Sequence, residues 1–277
     1  MQQEYAQRGY LREDFRLFHL SGAMEEQLDW HYHTFHKLIV FLGGKSSYGI
    51  EGRSYPLEPG DVIVVPQGCV HRPEAAPGAP YERVILYLSP AFLTRASDAQ
   101  CPLDACFSFA QTSFRFILRP QLARRAITQT AQSLEEAVTG GGFGREALAH
   151  ALLTQLLILV RRAMDAQQAM DVPSLAGDEK IAAIMRYLSQ NATQEISIDD
   201  LAARFYISKY HMMRRFRAET GYTIHAYLVS KRLSLAREQI ASGVPVLQAA
   251  AACGFSDYST FCRAYRRQFG QPPSSAR

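Results

Sequence analysis

The stretch WHYHTFHKL, residues 30–38, places three histidines and a lysine within seven residues. Imidazole nitrogens bind zinc, copper and iron, so side chains of this type at this density could form a metal site. In an extended strand, alternate residues lie on one face, and His31 and His33 would therefore point the same way. The same side chains could instead line a pocket for a small molecule or form internal hydrogen bonds.

The region around this stretch is rich in short strands. Residues 37–73, KLIVFLGGKSSYGIEGRSYPLEPGDVIVVPQGCVHRP, alternate β-branched and aromatic runs with Gly-Gly, Glu-Gly and Pro-Gly turns. Strands at this spacing are typical of a small antiparallel sandwich or barrel. The following residues, 96–118, are compatible with a loop or a short pair of strands.

Helical periodicity begins at Pro120. PQLARRAITQTAQSLEEAV repeats an apolar residue every three or four positions, TGGGFG interrupts the pattern, and REALAHALLTQLLILVRRAMDAQQ forms a second predicted helix. A helix that is apolar all round, as this second one is, lies buried against its own domain or in a subunit interface. Its most apolar run, residues 151–160, is too short to span a bilayer.

Charge is distributed unevenly along the 277 residues. Residues 178–277 carry 14 Lys and Arg against 8 Asp and Glu, whereas residues 1–177 carry 16 against 18. A basic C-terminal part suggests contact with a polyanion. The five cysteines form no paired motif, which indicates reduced thiols in a cytoplasmic protein, and the N-terminal residues contain no apolar segment typical of a signal peptide.

The chain is therefore predicted to be multi-domain, with α and β parts. Residues 169–179, AMDVPSLAGDE, have the Pro, Ser and Gly content of a linker. We expect an antiparallel β-barrel, a helical dimerisation segment, a flexible linker and an all-helical DNA-binding domain, in that order: residues 1–118, 119–168, 169–177 and 178–277.

Residues 197–221 predict two helices joined by a tight turn. Ser197 and Ser208 are suitable N-cap residues for them. Positions i, i+3, i+4 and i+7 of the second helix form a basic and aromatic face: Tyr210, Met213, Arg214 and Arg217. This pattern indicates a helix-turn-helix unit.

The pattern repeats 49 residues later. LQAAAACGFSDYSTFCRAYRRQFG, residues 247–270, again contains a small-residue helix, a turn at Gly254 and a second basic helix. Two tandem units are a far stronger signal than one. Between them, residues 223–242 contain no Gly or Pro and predict one helix of roughly 30 Å, close to the ~34 Å between successive major grooves.

Residues 178–277 resemble the DNA-binding domain of AraC/XylS-type transcription regulators. The resemblance is carried by IDDLAARF, FRAETG, KRLSLAREQI and AACGFSDYSTFCRAYRRQFGQPPSSAR. It implies that both helix-turn-helix units bind promoter DNA. The family usually has glycine in the first turn, where this chain has Tyr206, and a positive φ at a tyrosine would cost about 1 kcal/mol.

The resemblance also assigns roles to single residues. It implies that a group of side chains in each helix-turn-helix unit contacts bases. These are Tyr210, Met213 and Arg214 in the first unit, and Tyr258, Ser259, Thr260 and Arg263 in the second. Arg214 and Arg263 suit bidentate hydrogen bonds to guanine. We expect phosphate contacts from the remaining basic residues: Lys209, Arg217, Arg266 and Arg267. A solvated charge or an ion pair within the helix is the alternative for each.

Residues 60–71, GDVIVVPQGCVH, fit the second cupin signature, Gly-x5-Pro-x-Gly-x2-His, and His31 and His33 fit the first. The N-terminal part thus resembles the cupin-like sensor domain of the same regulators. In metal cupins the first signature also supplies a glutamate ligand. Here Lys37 holds that position, and its ammonium group has no lone pair to offer. Three histidines could still hold zinc, but we predict neither a metal nor another cofactor.

We predict instead an effector pocket in the barrel, lined by Trp30, His31, His33, Lys37 and His71. An inward Lys37 would suit an anionic or hydroxyl-rich ligand, and an outward one would be a solvated edge-strand side chain. Trp30 could stack on a sugar face or close the end of the barrel.

The sequence therefore predicts a cytoplasmic, ligand-responsive transcription regulator rather than an enzyme. The expected partners are double-stranded promoter DNA, a small-molecule effector, a second copy of the chain and, for an activator, RNA polymerase. The resemblance suggests sugars as one effector class, and no membrane association is expected. Two alternatives remain open: a metal-dependent cupin enzyme fused to a DNA-binding module, and a ligand-independent regulator whose barrel is purely structural.

Overall fold

The computed structural model describes residues 9, 11–23, 28–75, 78–165, 169–170, 172 and 179–276. They form two compact units. The N-terminal unit holds the described residues of 9–29 and 35–176. The C-terminal unit holds those of 177–277 together with Trp30–Thr34. Most of the predicted linker, residues 169–177, lies outside the described residues.

The N-terminal unit is built on two antiparallel sheets. Its strands are β1 (Phe15–Leu20), β2 (His36–Gly44), β3 (Ser46–Ile50), β4 (Arg53–Pro56), β5 (Val62–Val65), β6 (His71–Ala75), β7 (Tyr81–Leu88), β8 (Ile117–Pro120) and β9 (Ala169–Met170). One sheet has the order β1-β7-β2-β5-β8-β9 and the other the order β4-β3-β6. The predicted antiparallel β architecture of this region is therefore confirmed.

Four helices accompany these sheets: α1 (Pro90–Ala96), α2 (Ala105–Ser113), α3 (Arg124–Thr139) and α4 (Arg145–Asp165). The expectation of a loop or strand pair over residues 96–118 was wrong, because all of α2 and the start of β8 lie there. The predicted helix after Pro120 starts only at Arg124, since Pro120 ends strand β8.

Strand register decides which side chains share a face. In the pairing of β2 with β7, Lys37 lies opposite Tyr87 and Phe41 lies opposite Arg83, so all four side chains lie on one face of the large sheet. In β6, residues 71, 73 and 75 are buried whereas residues 72 and 74 are partly exposed. Apolar residues of both sheets belong to a single hydrophobic core. The unit therefore encloses one interior between its sheets.

Helix α4 is the most apolar helix of the N-terminal unit. Its 21 residues are long and apolar enough by composition to cross a bilayer, with a mean hydropathy of 1.3 over the most apolar window, of which 39% is buried. The sequence prediction rested only on the most apolar run, residues 151–160, which is too short to span a bilayer. The whole helix is longer than that run. Its buried face, which includes Leu153, Leu156 and Leu157, packs into the core beside α3. This packing buries one face of the helix.

The C-terminal unit consists of helices. They are α5 (Glu179–Gln190), α6 (Ile198–Arg204), α7 (Lys209–Thr220), α8 (Ile224–Ala241), α9 (Val246–Ala252), α10 (Tyr258–Phe269) and a 3-10 helix (Pro273–Ala276). The predicted caps are present: Ser197 accepts a hydrogen bond from the Asp200 amide, and Ser208 accepts one from the His211 amide. Helix α8 has 18 residues and therefore a length of about 27 Å.

The two helix-turn-helix units differ in their turns. The second residue after the end of the first helix has a left-handed backbone in both, with φ of +50° at Tyr206 and +81° at Gly254. The recognition helices α7 and α10 start 49 residues apart, as the sequence predicts, but these turn residues lie only 48 apart. The second turn is thus one residue longer, and the tyrosine of the first turn does adopt the strained conformation.

We expect Tyr206→Gly to raise the free energy of unfolding by about 0.5–1 kcal/mol, because glycine removes the left-handed strain. Tyr206 is 90% exposed, so little packing is lost. Urea titration of the full chain, followed by circular dichroism, measures the change. Tyr206→Ala is the matched control, since it removes the ring but keeps the strain.

At the equivalent position, Gly254→Ala should destabilise the chain by more than about 1 kcal/mol. A Cβ there would lie 2.8 Å from the Thr193 carbonyl oxygen. Equal unfolding midpoints for Gly254→Ala and the unaltered chain would contradict the strain argument for both turns.

Candidate nucleic-acid interface and effector site

Helix α7 has one buried and one exposed face. Met212 and Phe216 are completely buried. The predicted base-contacting side chains lie on the other side, where Tyr210 is 73% exposed and Met213 is 46% exposed. Arg214 and Arg217 are exposed as well. The helix therefore presents to solvent the face that the sequence assigned to DNA.

Helix α10 repeats this arrangement. Phe261 and Tyr265 are completely buried, and the Asp257 side chain caps the helix by accepting a hydrogen bond from the Thr260 amide. All of the residues predicted to contact DNA from this helix are exposed: Tyr258, Ser259, Thr260, Arg263, Arg266 and Arg267. Both recognition helices thus have the amphipathic character that a helix in a major groove requires.

Several of these exposed residues have partners on the protein surface. Lys209 forms an ion pair with Asp199 of helix α6. The Arg214 guanidinium lies 5.8 Å from the Tyr210 ring centroid, and Arg263 donates a hydrogen bond to the Thr260 hydroxyl at 3.1 Å. An exposed pair of this kind contributes little stability. It can therefore be exchanged for a contact to DNA at small cost.

A groove of about 830 Å³ lies between the two helix-turn-helix units. Its lining includes Arg217 from the first helix-turn-helix, and Thr260 and Arg267 from the second helix-turn-helix. Arginines at the edge of a groove are suited to the phosphates of a duplex that passes from one recognition helix to the other.

Arg232 of helix α8 is a positioning residue that sequence reasoning missed. Its guanidinium donates three hydrogen bonds to backbone carbonyls: to Ala192 at 2.7 Å, to Gln194 at 2.7 Å and to Gly254 at 3.0 Å. The last of these fixes the turn of the second helix-turn-helix to the connection between α5 and α6. The only signal in the sequence was a basic residue within a long helix, which does not reveal its partners.

The predicted effector residues fall into two groups. Lys37 and His71 belong to the N-terminal unit, and both are buried. His71 hydrogen-bonds through Nδ1 to the Cys69 carbonyl at 2.9 Å, and its ring stacks on Tyr48 at a centroid distance of 5.9 Å. Lys37 lies on the interior face, so its solvated alternative is not adopted. These two residues have the inward orientation that an effector pocket needs.

His36, the third histidine of the opening stretch, has a structural role. Its Nδ1 accepts a hydrogen bond from the Gln67 amide at 3.2 Å, and its ring stacks on Phe107 at a centroid distance of 4.3 Å. These contacts hold the His36 ring in place at the start of β2.

The other group, Trp30, His31 and His33, lies in the segment Trp30–Thr34, which is part of the C-terminal unit. The sequence predicted that His31 and His33 lie on a strand, but the nearest strand, β2, begins only at His36. The His31 and His33 rings lie 5.1 Å apart in an edge-to-face arrangement. Arg237 donates a hydrogen bond to the Thr34 carbonyl at 3.3 Å, and the Tyr32 ring lies 6.3 Å from that of Tyr222. The segment is thus attached to the helices that carry the DNA-binding face.

Burial changes the protonation of Lys37. Removal from water, together with the nearby charge of Arg83, lowers the pKa of the Lys37 ammonium to about 7. Burial likewise lowers the pKa of the Arg83 guanidinium below its usual value. Lys37 is therefore a mixture of charged and neutral forms near neutral pH, in contrast to an ordinary surface lysine.

An exposed, duplicated basic helix face together with a separate sheet domain with a polar interior defines a ligand-binding DNA regulator. Comparison with known protein families agrees. Residues 201–277 match the "Helix-turn-helix domain" model, and residues 17–157, about half of the chain, match the "AraC-like ligand binding domain" model. The chain belongs to the AraC family of transcriptional regulators.

Curated relatives match over nearly the whole chain. It is 25% identical over 254 residues to the probable transcriptional regulator LumQ of Photobacterium leiognathi, covering 91% of this chain and 93% of that protein. It is 27% identical over 262 residues to the transcriptional activator RhaS of Escherichia fergusonii, covering 92% and 88%. Among solved structures, a probable AraC family regulator from Rhodopseudomonas palustris is 30% identical over 36% of this chain and 94% of that one, with a TM-score of 0.34.

The depressed pKa of Lys37 predicts a pH-dependent stability. Between about pH 10 and pH 7 the unfolded chain binds a proton at Lys37 that the folded chain does not, so stability falls as the pH is lowered through this range. Lys37→Met removes this cost and should raise the free energy of unfolding by about 2 kcal/mol at pH 7.

The gain from Lys37→Met should shrink as the pH rises from about 7 towards 10. Urea titrations of both chains at several pH values measure it. Lys45→Met is the control, since Lys45 is exposed in the same unit. A gain that is the same at all pH values would show that packing, rather than the charge, is responsible.

Proposed function

We propose that this regulator binds promoter DNA through both helix-turn-helix units and binds a small-molecule effector within its N-terminal unit. The observation that carries the first part is the exposure of every predicted DNA-contacting residue on α7 and α10. Arg214 and Arg263 read bases, and Arg217, Arg266 and Arg267 bind phosphates. Lys209 contacts phosphate after exchanging its ion pair with Asp199.

The effector part is supported by two ionisable side chains that are buried in the interior of the N-terminal unit. Lys37 and His71 are buried between sheets whose remaining interior is mainly apolar. Burying ionisable groups costs stability, which a purely structural barrel would not need to incur. This argues against the ligand-independent alternative. Trp30, His31 and His33 are part of the proposed effector response through their segment, Trp30–Thr34.

A homodimer is supported by the exposed side of helix α4. Leu148 is 54% exposed, and Leu152 and Leu159 are partly exposed, at the spacing i, i+4 and i+11 of one helical stripe. Leu152 and Leu159 pack partly against the core, so the first turn of α4, around Leu148, is where we expect a second copy to make contact. Two copies would place four helix-turn-helix units on one operator.

We further propose that the protein acts in the cytoplasm and activates transcription by contacting RNA polymerase. RhaS, to which the chain is similar, is named a transcriptional activator. In vitro transcription from a bound promoter, with and without the regulator, tests the direction of the effect.

The rival function is a metal-dependent cupin enzyme fused to a DNA-binding module. Relatives named as transcriptional regulators over about nine-tenths of the chain favour the regulator. Metal analysis of protein purified without chelator separates the two functions. Stoichiometric iron or zinc, lost together in a His31→Ala and a His71→Ala chain, would overturn the proposal that no metal is needed.

We expect Arg263→Ala to abolish most discrimination between operator and unrelated DNA. Loss of a bidentate contact to guanine costs about 1–3 kcal/mol of specific binding, whereas non-specific affinity depends on phosphate contacts. Fluorescence anisotropy with operator and scrambled duplexes, at one salt concentration, measures the ratio. Arg125→Ala, an exposed arginine of α3, is the charge-matched control. An unchanged ratio for Arg263→Ala would refute its assignment as a base-reading residue.

For the dimer, Leu148→Glu should raise the dimer dissociation constant at least about tenfold, because it places a charge in an apolar interface. Sedimentation equilibrium measures the constant. Gln129→Glu adds the same charge to an exposed position of α3 and should leave the dimer intact. Monomers in the unaltered chain at all concentrations would exclude this interface.

A further inference from the structure

The interior face of the large sheet carries two cations on neighbouring strands. Lys37 on β2 is only 7% exposed, and Arg83 on β7 is partly buried. In the register of these strands, Lys37 lies opposite Tyr87 and Arg83 lies opposite Phe41, so both point to the same side. The two side chains are close enough for the charge of Arg83 to affect the protonation of Lys37. The sequence singled out Lys37 but gave no indication of Arg83.

Neither cation has an acidic partner among the residues that the structure describes. The Lys37 Nζ lies 5.8 Å from the Tyr87 ring centroid. Arg83 donates a hydrogen bond to the Tyr81 carbonyl at 2.6 Å and stacks on the Tyr81 ring at 3.9 Å. Two like charges in a water-poor interior repel each other, and an anion that paired with both would remove that cost.

Three carboxylates of the described part of this unit have partners elsewhere. Glu82, the neighbour of Arg83, lies on the opposite face of the strand and bonds to His19. Glu74 pairs with Arg72, and Glu51 accepts a hydrogen bond from the Val70 amide. Among the described residues no carboxylate pairs with either cation, so a bound anion could act as their counter-ion.

A third donor, the Tyr48 hydroxyl, lies near Arg83. The Tyr48 hydroxyl is buried and has no hydrogen-bond partner among the described residues, and its ring is within the electrostatic range of Arg83, Tyr81 and Tyr87. A buried hydroxyl without a partner costs about 1–3 kcal/mol. Ammonium, guanidinium and phenol groups can all donate hydrogen bonds to one acceptor group.

The rest of this interior face is apolar. Ile39 and Ile85 lie next to the cations on β2 and β7, and Ile63 lies opposite Ile39 on β5. All three are buried. A ligand whose charged end met the two cations would have aliphatic side chains around it, so the rest of the molecule should be apolar. A neutral sugar would gain less than an anion here, because ammonium and guanidinium groups are donors only.

We propose that the effector is an organic monocarboxylate with an apolar body, whose carboxylate lies between Lys37 and Arg83 and accepts a hydrogen bond from Tyr48. This inference rests on the proposed effector function of the N-terminal unit and names the class of its ligand. The family resemblance suggested sugars as one effector class, and we propose a carboxylate in their place.

The proposal implies opposite effects on stability and on binding. Lys37 destabilises the empty protein, so Lys37→Met should raise its unfolding temperature while it abolishes the response to carboxylates. If Lys37 had only a structural role, its substitution would change the unfolding temperature and the carboxylate response in the same direction. Tyr48→Phe should weaken carboxylate binding about tenfold, because it removes one hydrogen bond to a charged group.

The test is calorimetric titration of the full chain with hexanoate and phenylacetate, each compared with its neutral amide. We expect the acids to bind and to raise the unfolding temperature, and the amides to bind at least tenfold more weakly. Lys37→Met and Arg83→Met should lose acid binding. Lys45→Met makes the same chemical change on an exposed turn of the same unit and should retain it.

Equal binding of acids and amides, or acid binding that survives both substitutions, would overturn the proposed ligand class. So would the absence of binding by either acid. Operator binding of the same preparations, measured by fluorescence anisotropy, is the independent readout. Intact operator binding without any acid binding would overturn the carboxylate inference alone, whereas loss of operator specificity in the unaltered chain would overturn the proposed function.

Discussion

The burial of two like cations on one sheet face is the constraint on which the N-terminal unit depends. Lys37 and Arg83 stand among tyrosines and aliphatic side chains, and neither has a carboxylate partner among the described residues. Core positions of this kind are normally apolar, because an unpaired charge is expensive to remove from water. The fold tolerates them because the two sheets and the helices behind them supply a large apolar core. Such a cost is expected where binding, rather than stability, has been selected.

The C-terminal unit solves a different problem, which is to expose a basic helix face while its opposite face stays packed. Phe216 and Phe261 anchor the recognition helices in the core, so the exposed arginines need no partners of their own. Arg232 hydrogen-bonds both to the turn of the second helix-turn-helix and to the carbonyls of Ala192 and Gln194. The position of the second recognition helix, α10, therefore depends on the backbone that Arg232 holds. The residues predicted to contact DNA contribute to that position only indirectly.

Much of this could be predicted from the sequence. The tandem units, their serine caps and the long helix between them follow local rules of spacing and capping, and local rules are readable in one chain. The strain at Tyr206 was predictable because a turn demands a positive φ whatever residue occupies it. The antiparallel sheets also followed from turn spacing. What failed was the placement of His31 and His33 on a strand, since their segment is held by contacts with the C-terminal unit that no local pattern encodes.

Arg83 was missed for a related reason. Strand alternation shows that Lys37 and Arg83 could point inward, but β2 and β7 are far apart in the chain, and no local pattern reveals that they pair or in which register. Once that register is known, the chemistry follows from the groups themselves. A ligand can change operator affinity only by its preference for one arrangement of the regulator over another. A carboxylate that neutralises two repelling cations has a large interaction energy to contribute to such a preference, whereas a neutral molecule in the same place would have little.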